Sequence, residues 1–253
     1  MEELNIGAII QARMNSTRFP GKIKEKFGET SLLETCIKSI KISKSVRKII
    51  IATTENSEDD WIESLNDEKN NIFVFRGDEN DVLSRYMHAI NKFNLDIVVR
   101  ITADDPFKPP WLMDKLVKII ISDQYDYASN TIDPSYPEGL DIEVFTKKAI
   151  TKASKYGKKI SEREHVTPYI WKNPKIFKCY SEKIKNNLSW ARLTIDYKED
   201  LERLRNIWIY LGEAVYKKEF LKRFLVDNYL INLSKSEKIR NEGYYKTLKE
   251  DKN

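Results

Sequence analysis

Four short apolar runs, each followed by a segment with helical spacing, fill the first half of the chain. Asn5–Ile10, Lys48–Thr53, Ile72–Arg76 and Asp96–Ile101 read as strands. Runs this short and this continuously apolar suit strands buried on both faces. Between them, Ser31–Ile42 places Leu32, Leu33, Cys36, Ile37 and Ile40 on one stripe. Ser57–Leu65 opens with a helix-start signal. Asn80–Phe93 carries Val82, Leu83, Tyr86, Met87 and Ile90 on one face, with Asn80 as its cap. Pro110–Ile121 starts with a proline in its first turn. Strands alternating with helices require parallel pairing through right-handed crossovers. The expected fold is α/β, a mostly parallel sheet with helices on both faces.

After Tyr125 the alternation loosens. Tyr125–Ser129, Asp141–Phe145, Phe177–Tyr180 and Ala191–Ile195 read as strands. Lys147–Tyr156, Ser161–Trp171 and Asp200–Leu211 read as helices, the second with a proline inside. The expected organisation is one domain over 1–211, with 125–190 as an elaboration after the fifth strand. Residues 212–253 form a charged helical tail expected to fray at its end.

Composition narrows the chemistry. No run reaches the roughly 18–20 apolar residues of a membrane span. The N-terminus opens acidic, without the basic-then-apolar order of a signal peptide, so a cytoplasmic location is expected. Two cysteines, Cys36 and Cys179, and two histidines rule out a disulfide framework or a zinc site on count. The net charge of +5 is uneven: residues 1–146 carry −7, 147–190 carry +9 and 191–253 carry +3. The aromatic residues of the basic segment sit in apolar patches rather than in an RNA-stacking motif, which argues against nucleic acid.

Open α/β sheets bind ligands beyond the C-terminal ends of their strands. Three polar clusters fall there. The loop Gln11-Ala12-Arg13-Met14-Asn15-Ser16-Thr17-Arg18-Phe19-Pro20-Gly21-Lys22 packs three cations without an acid. It matches neither usual nucleotide fingerprint, yet forked guanidinium donors and loop amides suit phosphate. Thr102-Ala103-Asp104-Asp105-Pro106 follows the fourth strand, and Asp196 follows Ala191–Ile195. Converging carboxylates repel unless a cation joins them, and Mg²⁺ accepts carboxylates together with phosphates. A basic loop with two separated aspartates is the composition of a nucleoside-triphosphate–metal site. Asp196 by itself also suits a helix N-cap.

Those residues carry a family resemblance. The segment from Ile9 to Lys22 resembles the opening motif of cytidylyltransferases that activate acidic sugars, the 3-deoxy-manno-octulosonate and acylneuraminate enzymes. It is closer to the spore coat polysaccharide (SpsF-type) branch. That branch's motifs stand here as Phe75–Gly77, Asp81–Tyr86, Arg100–Pro106, Tyr136–Phe145, Arg163–Tyr169 and Arg192–Asp196. The resemblance implies a Rossmann-like nucleotidyltransferase fold and a CTP- and Mg²⁺-dependent transfer of CMP with release of pyrophosphate. It implies catalytic roles for Arg13, Lys22, Asp104 and Asp196, with metal on the two aspartates. Gln11, Ala12, Arg13, Ser16, Arg18, Lys22, Arg85 and Thr102 are the implied nucleotide contacts. Glu138, Asp141, Glu143, Arg163, Glu164 and His165 are expected to line the site for a sugar, acidic sugar or sugar-phosphate-like acceptor. A homodimer is expected, since related enzymes are often dimers.

Two alternatives compete. A metal-dependent glycosyltransferase would show Asp-x-Asp, which is missing, since Asp104 and Asp105 are adjacent. A non-catalytic nucleotide-sugar-binding protein would have no use for the aspartates.

Overall fold

The computed structural model describes residues 3–252. Its strands are β1 (Ile6–Gln11), β2 (Lys26–Phe27), β3 (Thr30–Ser31), β4 (Lys48–Thr54), β5 (Ile72–Gly77), β6 (Ile97–Thr102), β7 (Tyr127–Ser129), β8 (Glu143–Thr146) and β9 (Cys179–Ser181). Its α-helices are α1 (Leu32–Lys41), α2 (Asp60–Glu63), α3 (Val82–Lys92), α4 (Pro110–Asp123), α5 (Lys147–Tyr156) and α6 (Ile160–His165). They continue as α7 (Pro168–Trp171), α8 (Lys198–Leu211), α9 (Phe220–Arg223), α10 (Asn228–Ser234) and α11 (Glu242–Glu250).

Seven strands form one sheet in the order β5-β4-β1-β6-β8-β7-β9, and β2 and β3 make a separate small hairpin. The four strands β5, β4, β1 and β6 are parallel, whereas β8 runs antiparallel to both β6 and β7. Alternate residues of β1 serve the two faces, as a pleated strand requires. Ala8 and Ile10 pack in one core with Leu33 and Ile37 of α1 and Leu112 and Leu116 of α4. Ile9 packs in the other with Leu83 and Tyr86 of α3 and Ile150 of α5. The chain winds from β1 outward to β5, then returns to the other side of β1 at β6. That reversal makes the C-terminal ends of β1 and β6, where Gln11 pairs with Thr102, the switch point of the sheet.

Local chemistry sets most boundaries. Ser31 and Glu34 form a reciprocal capping box at the start of α1. The cap of α3 is Asp81 rather than the expected Asn80: its Oδ1 accepts from the Ser84 amide at 2.9 Å. The segment expected as one helix over 57–65 is a 3₁₀ turn followed by the single turn α2. The helix expected over 161–171 breaks into α6 and α7 at Val166, which takes φ 71° ahead of Pro168. The residues expected as a strand at 191–195 join no strand of the sheet. They lie extended against Glu138 through a single bridge, and the Ile195 amide donates to the Asp104 carbonyl at 3.0 Å.

The C-terminal segment is broken rather than one long helix, and it is packed. Phe220, Phe224 and Leu230 join Leu204 and Ile207 of α8, Phe27 and Phe107 in a third core. Near its end, the Asp251 carboxylate, just beyond α11, accepts from the Ser161 amide at 2.9 Å.

Candidate active site

The basic loop leaves β1 at Gln11 and is shaped from below by Asp59. The Asp59 carboxylate accepts from the Met14 amide at 2.6 Å and the Thr54 amide at 3.2 Å. The loop then brings Lys22 inward. Lys22 is buried, and its Nζ donates to Asp104 Oδ2 at 2.8 Å, the Ile195 carbonyl at 2.7 Å and Asp196 Oδ1 at 3.3 Å. Burial opposes the ammonium charge, but Asp104 and Asp196 outweigh it and hold the Lys22 pKa above the ordinary value.

Asp196 is not a helix cap. Asp200 fills that role, accepting from the Asp196 and Tyr197 amides, each at 3.0 Å. The Asp196 carboxylate meets Arg18, Lys22 and Arg192. Burial alone would raise its pKa; the three cations override that and hold it well below the usual carboxylate range. Arg192 donates through its other arm to Glu138 at 2.6 Å. A cation of the chain itself, Lys22, thus stands between the two aspartates.

Two cavities open side by side over this edge. The larger, about 1090 Å³, is lined by Gln11, Ala12, Arg13, Ser16, Arg18 and Lys22, together with residues of α11. The smaller, about 410 Å³, is lined by Glu138, Asp141, Glu143, Arg100 and Lys108 among others. Thr102, Asp104, Asp196, Arg18 and His165 line both, so the aspartates stand where the cavities meet. Glu164, expected on the acceptor side, lines the larger cavity and not the smaller.

The floor of the smaller cavity is a buried charged network. Arg100 pairs with Glu143, which also accepts from Tyr127 at 2.6 Å and from Thr167. Burial opposes the Glu143 charge, yet Arg100 and the two hydroxyls hold its pKa below the ordinary value. Glu138 is raised by burial, against the pull of Arg192. Asp105 is pushed up to about 6 by burial, although Lys108 lies 2.7 Å away. Burial pushes His165 down to about 4, and its Nε2 lies 3.2 Å from the Thr247 hydroxyl of α11. The turn at Val166 places His165 and Thr167 on this wall.

Two expected site residues lie elsewhere. Arg163 lines neither cavity; it pairs with Asp81 and donates to the Ser154 carbonyl at 3.0 Å, tying α6 to α3 and α5. Arg85 is fully buried behind the loop, donating to the Asp78 carbonyl at 2.6 Å, and lines neither cavity. Its Nε and Nη2 find no partner among the described residues, and burial lowers its pKa. Sequence reasoning assigned no role to Arg100, although an arginine within an apolar strand signals a buried partner. It also missed α11.

The cytidylyltransferase family model matches residues 7–244. The chain belongs to the cytidylyltransferase family. Family membership makes this chain a CTP-dependent nucleotidyltransferase, and the glycosyltransferase and non-catalytic alternatives fall away. It is 39% identical over 203 residues to an uncharacterized protein of Methanocaldococcus jannaschii, covering 79% of this chain and 81% of that one. It is 32% identical over 212 residues to the spore coat polysaccharide biosynthesis protein SpsF of Bacillus subtilis, covering 81% and 87%. The structure of a cytidylyltransferase from Leptospira borgpetersenii superposes with TM-score 0.84 at 32% identity, covering 94% of this chain and 99% of that one. The sheet is the expected nucleotidyltransferase fold. No helix of the cytidylyltransferase, among the described residues, is long and apolar enough to cross a membrane.

Proposed function

We propose that the enzyme transfers CMP from CTP to a sugar, acidic sugar or sugar-phosphate-like acceptor, with the nucleotide in the larger cavity and the acceptor in the smaller. An acceptor oxygen attacks the α-phosphorus and pyrophosphate leaves. The observation that carries this reading is that Asp104 and Asp196 stand where the two cavities meet. Arg13, Arg18 and Lys22 offset the charge that grows on pyrophosphate. Glu138, Asp141 and Glu143 accept from acceptor hydroxyls.

Mg²⁺ fits this donor set. Asp104 commits one oxygen to Lys22, and its other is engaged by no donor among the described residues. Of the partners of Asp196, Arg18 has a side chain 31% exposed, against 9% for Lys22 and 4% for Arg192. Arg18 is therefore the one free to turn to a triphosphate, leaving Asp196 Oδ1 with Lys22 at 3.3 Å as its remaining donor. Bound to the two aspartates, Mg²⁺ supplies charge neutralisation and activation of the attacking oxygen.

Pyrophosphate release with each nucleoside triphosphate and a panel of neutral, acidic and phosphorylated sugars tests the proposal. CTP is expected to turn over best, with one acceptor class preferred. Equal turnover of CTP and ATP overturns it.

A further inference from the structure

We propose that helix α11 completes the triphosphate site, with Lys246 and Lys249 as phosphate-binding residues. The inference rests on the nucleotide occupying the larger cavity.

The helix presents two stripes at helical spacing. Tyr244, Thr247 and Asp251 form the seat. The Tyr244 ring packs edge-on against His165 at 5.1 Å and against Trp171 at 5.9 Å. The Thr247 hydroxyl donates to Glu164 at 2.8 Å, and Asp251 accepts from Ser161. Glu242, Tyr245, Lys246 and Lys249 form the other stripe, and all four line the larger cavity opposite the basic loop. Asn241, which precedes the helix, ties it to the acceptor wall through its amide, 2.9 Å from Glu138 Oε1.

Charge accounting separates these lysines from the other cations of the cavity. Lys22 and Arg18 are already engaged by Asp104 and Asp196. Arg13 faces Glu79 at 3.7 Å. Lys246 and Lys249 are exposed and have no carboxylate partner among the described residues. Glu164, Glu242 and Glu250 line the cavity as well; Glu164 accepts from Thr247 at 2.8 Å and Glu242 from Tyr197 at 3.1 Å, and none of the three pairs with either lysine. The loop cations meet a triphosphate in competition with their carboxylate partners, and α11 adds two lysines that give up no ion pair to do so. The family match ends at residue 244, short of both lysines.

Equilibrium binding of CTP and of CMP to the full chain tests this. A Lys246→Ala/Lys249→Ala double variant is expected to bind CTP about tenfold more weakly, roughly 1.4 kcal/mol. Its affinity for CMP, which lacks the β- and γ-phosphates, should be unchanged. Lys246→Arg/Lys249→Arg should restore CTP binding. Unchanged CTP affinity, or an equal loss for CMP, overturns the inference. Arg13→Ala serves as the reference: if it weakens CTP binding while the double variant does not, α11 alone is excluded. If neither variant changes CTP binding, the assignment of the nucleotide to this cavity fails too.

Discussion

Lys22 Nζ lies 3.3 Å from Asp196 Oδ1, across 174 positions of sequence. It also holds Asp104, so the two site carboxylates meet across an ammonium rather than facing each other bare. Aspartates converging without a cation would repel, and neutralising either would then relieve that repulsion. In the structure, Asp196 instead anchors Arg18, Lys22 and Arg192.

Asp196→Asn should therefore lower both activity and the melting temperature. Removing one partner from a buried ion pair typically costs about 3–5 kcal/mol. Asp104→Asn should lose activity with a smaller thermal penalty, because its side chain is 26% exposed and pairs with Lys22 alone. Thermal melts and turnover against Mg²⁺ concentration check both. A raised melting temperature in Asp196→Asn would contradict the network.

Arg13 and Lys22 should separate in the same assays. Arg13 is partly exposed and its one ion-pair partner among the described residues is Glu79 at 3.7 Å, so Arg13→Ala should keep its stability while losing turnover. A preorganised donor to a developing anion is worth about 2.7–4 kcal/mol, roughly 10²–10³ in rate. Lys22→Ala should lose stability as well, since it leaves two carboxylates without their shared cation. Equal melting temperatures for the two variants would argue against a buried Lys22.

The pH dependence of stability should carry the mark of His165. Its folded pKa of about 4 lies below the ordinary 6.5 because burial disfavours the imidazolium. Between those values the unfolded chain binds more protons, so stability falls as pH drops from about 6.5 toward 4. Asp105, raised to about 6, acts in the opposite direction as pH falls through that value. Comparing melts of the wild type and His165→Gln removes the Asp105 contribution. The wild type should lose stability more steeply over that window, and parallel curves would show that His165 is not buried neutral.

Gly139→Ala should disable the site without touching its chemistry. Gly139 has φ 95°, and an added Cβ would stand 2.5 Å from the Leu193 backbone. Left-handed strain and the clash act together, pushing away the extended segment that carries Asp196. The expected result is a lower melting temperature and lost turnover. Wild-type kinetics would show that residues 191–196 can shift freely.

Local signals in the sequence determined the sheet and the basic loop. A strand buried on both faces is apolar throughout, so β1, β4 and β6 are visible as continuous runs, and the edge strand β5 shows as a short apolar run with Phe73 and Phe75 half-buried. The stripes of α1 and α3 and the proline at the start of α4 are equally local. The cations of the loop after β1, together with the ordered motifs, identified the nucleotide chemistry before any contact was known. Tertiary structure alone decided how the charges pair. Lys22 rather than a bare gap separates the aspartates, Arg163 turns away to Asp81, and Arg100 lines the smaller cavity beside Glu143. Ion pairing depends on which distant segments meet, and no sequence period records that. The same holds for α11. It docks through Thr247, Tyr244 and Asp251 rather than through an apolar stripe, so its sequence has the composition of a solvated tail while its fold makes it a wall of the larger cavity.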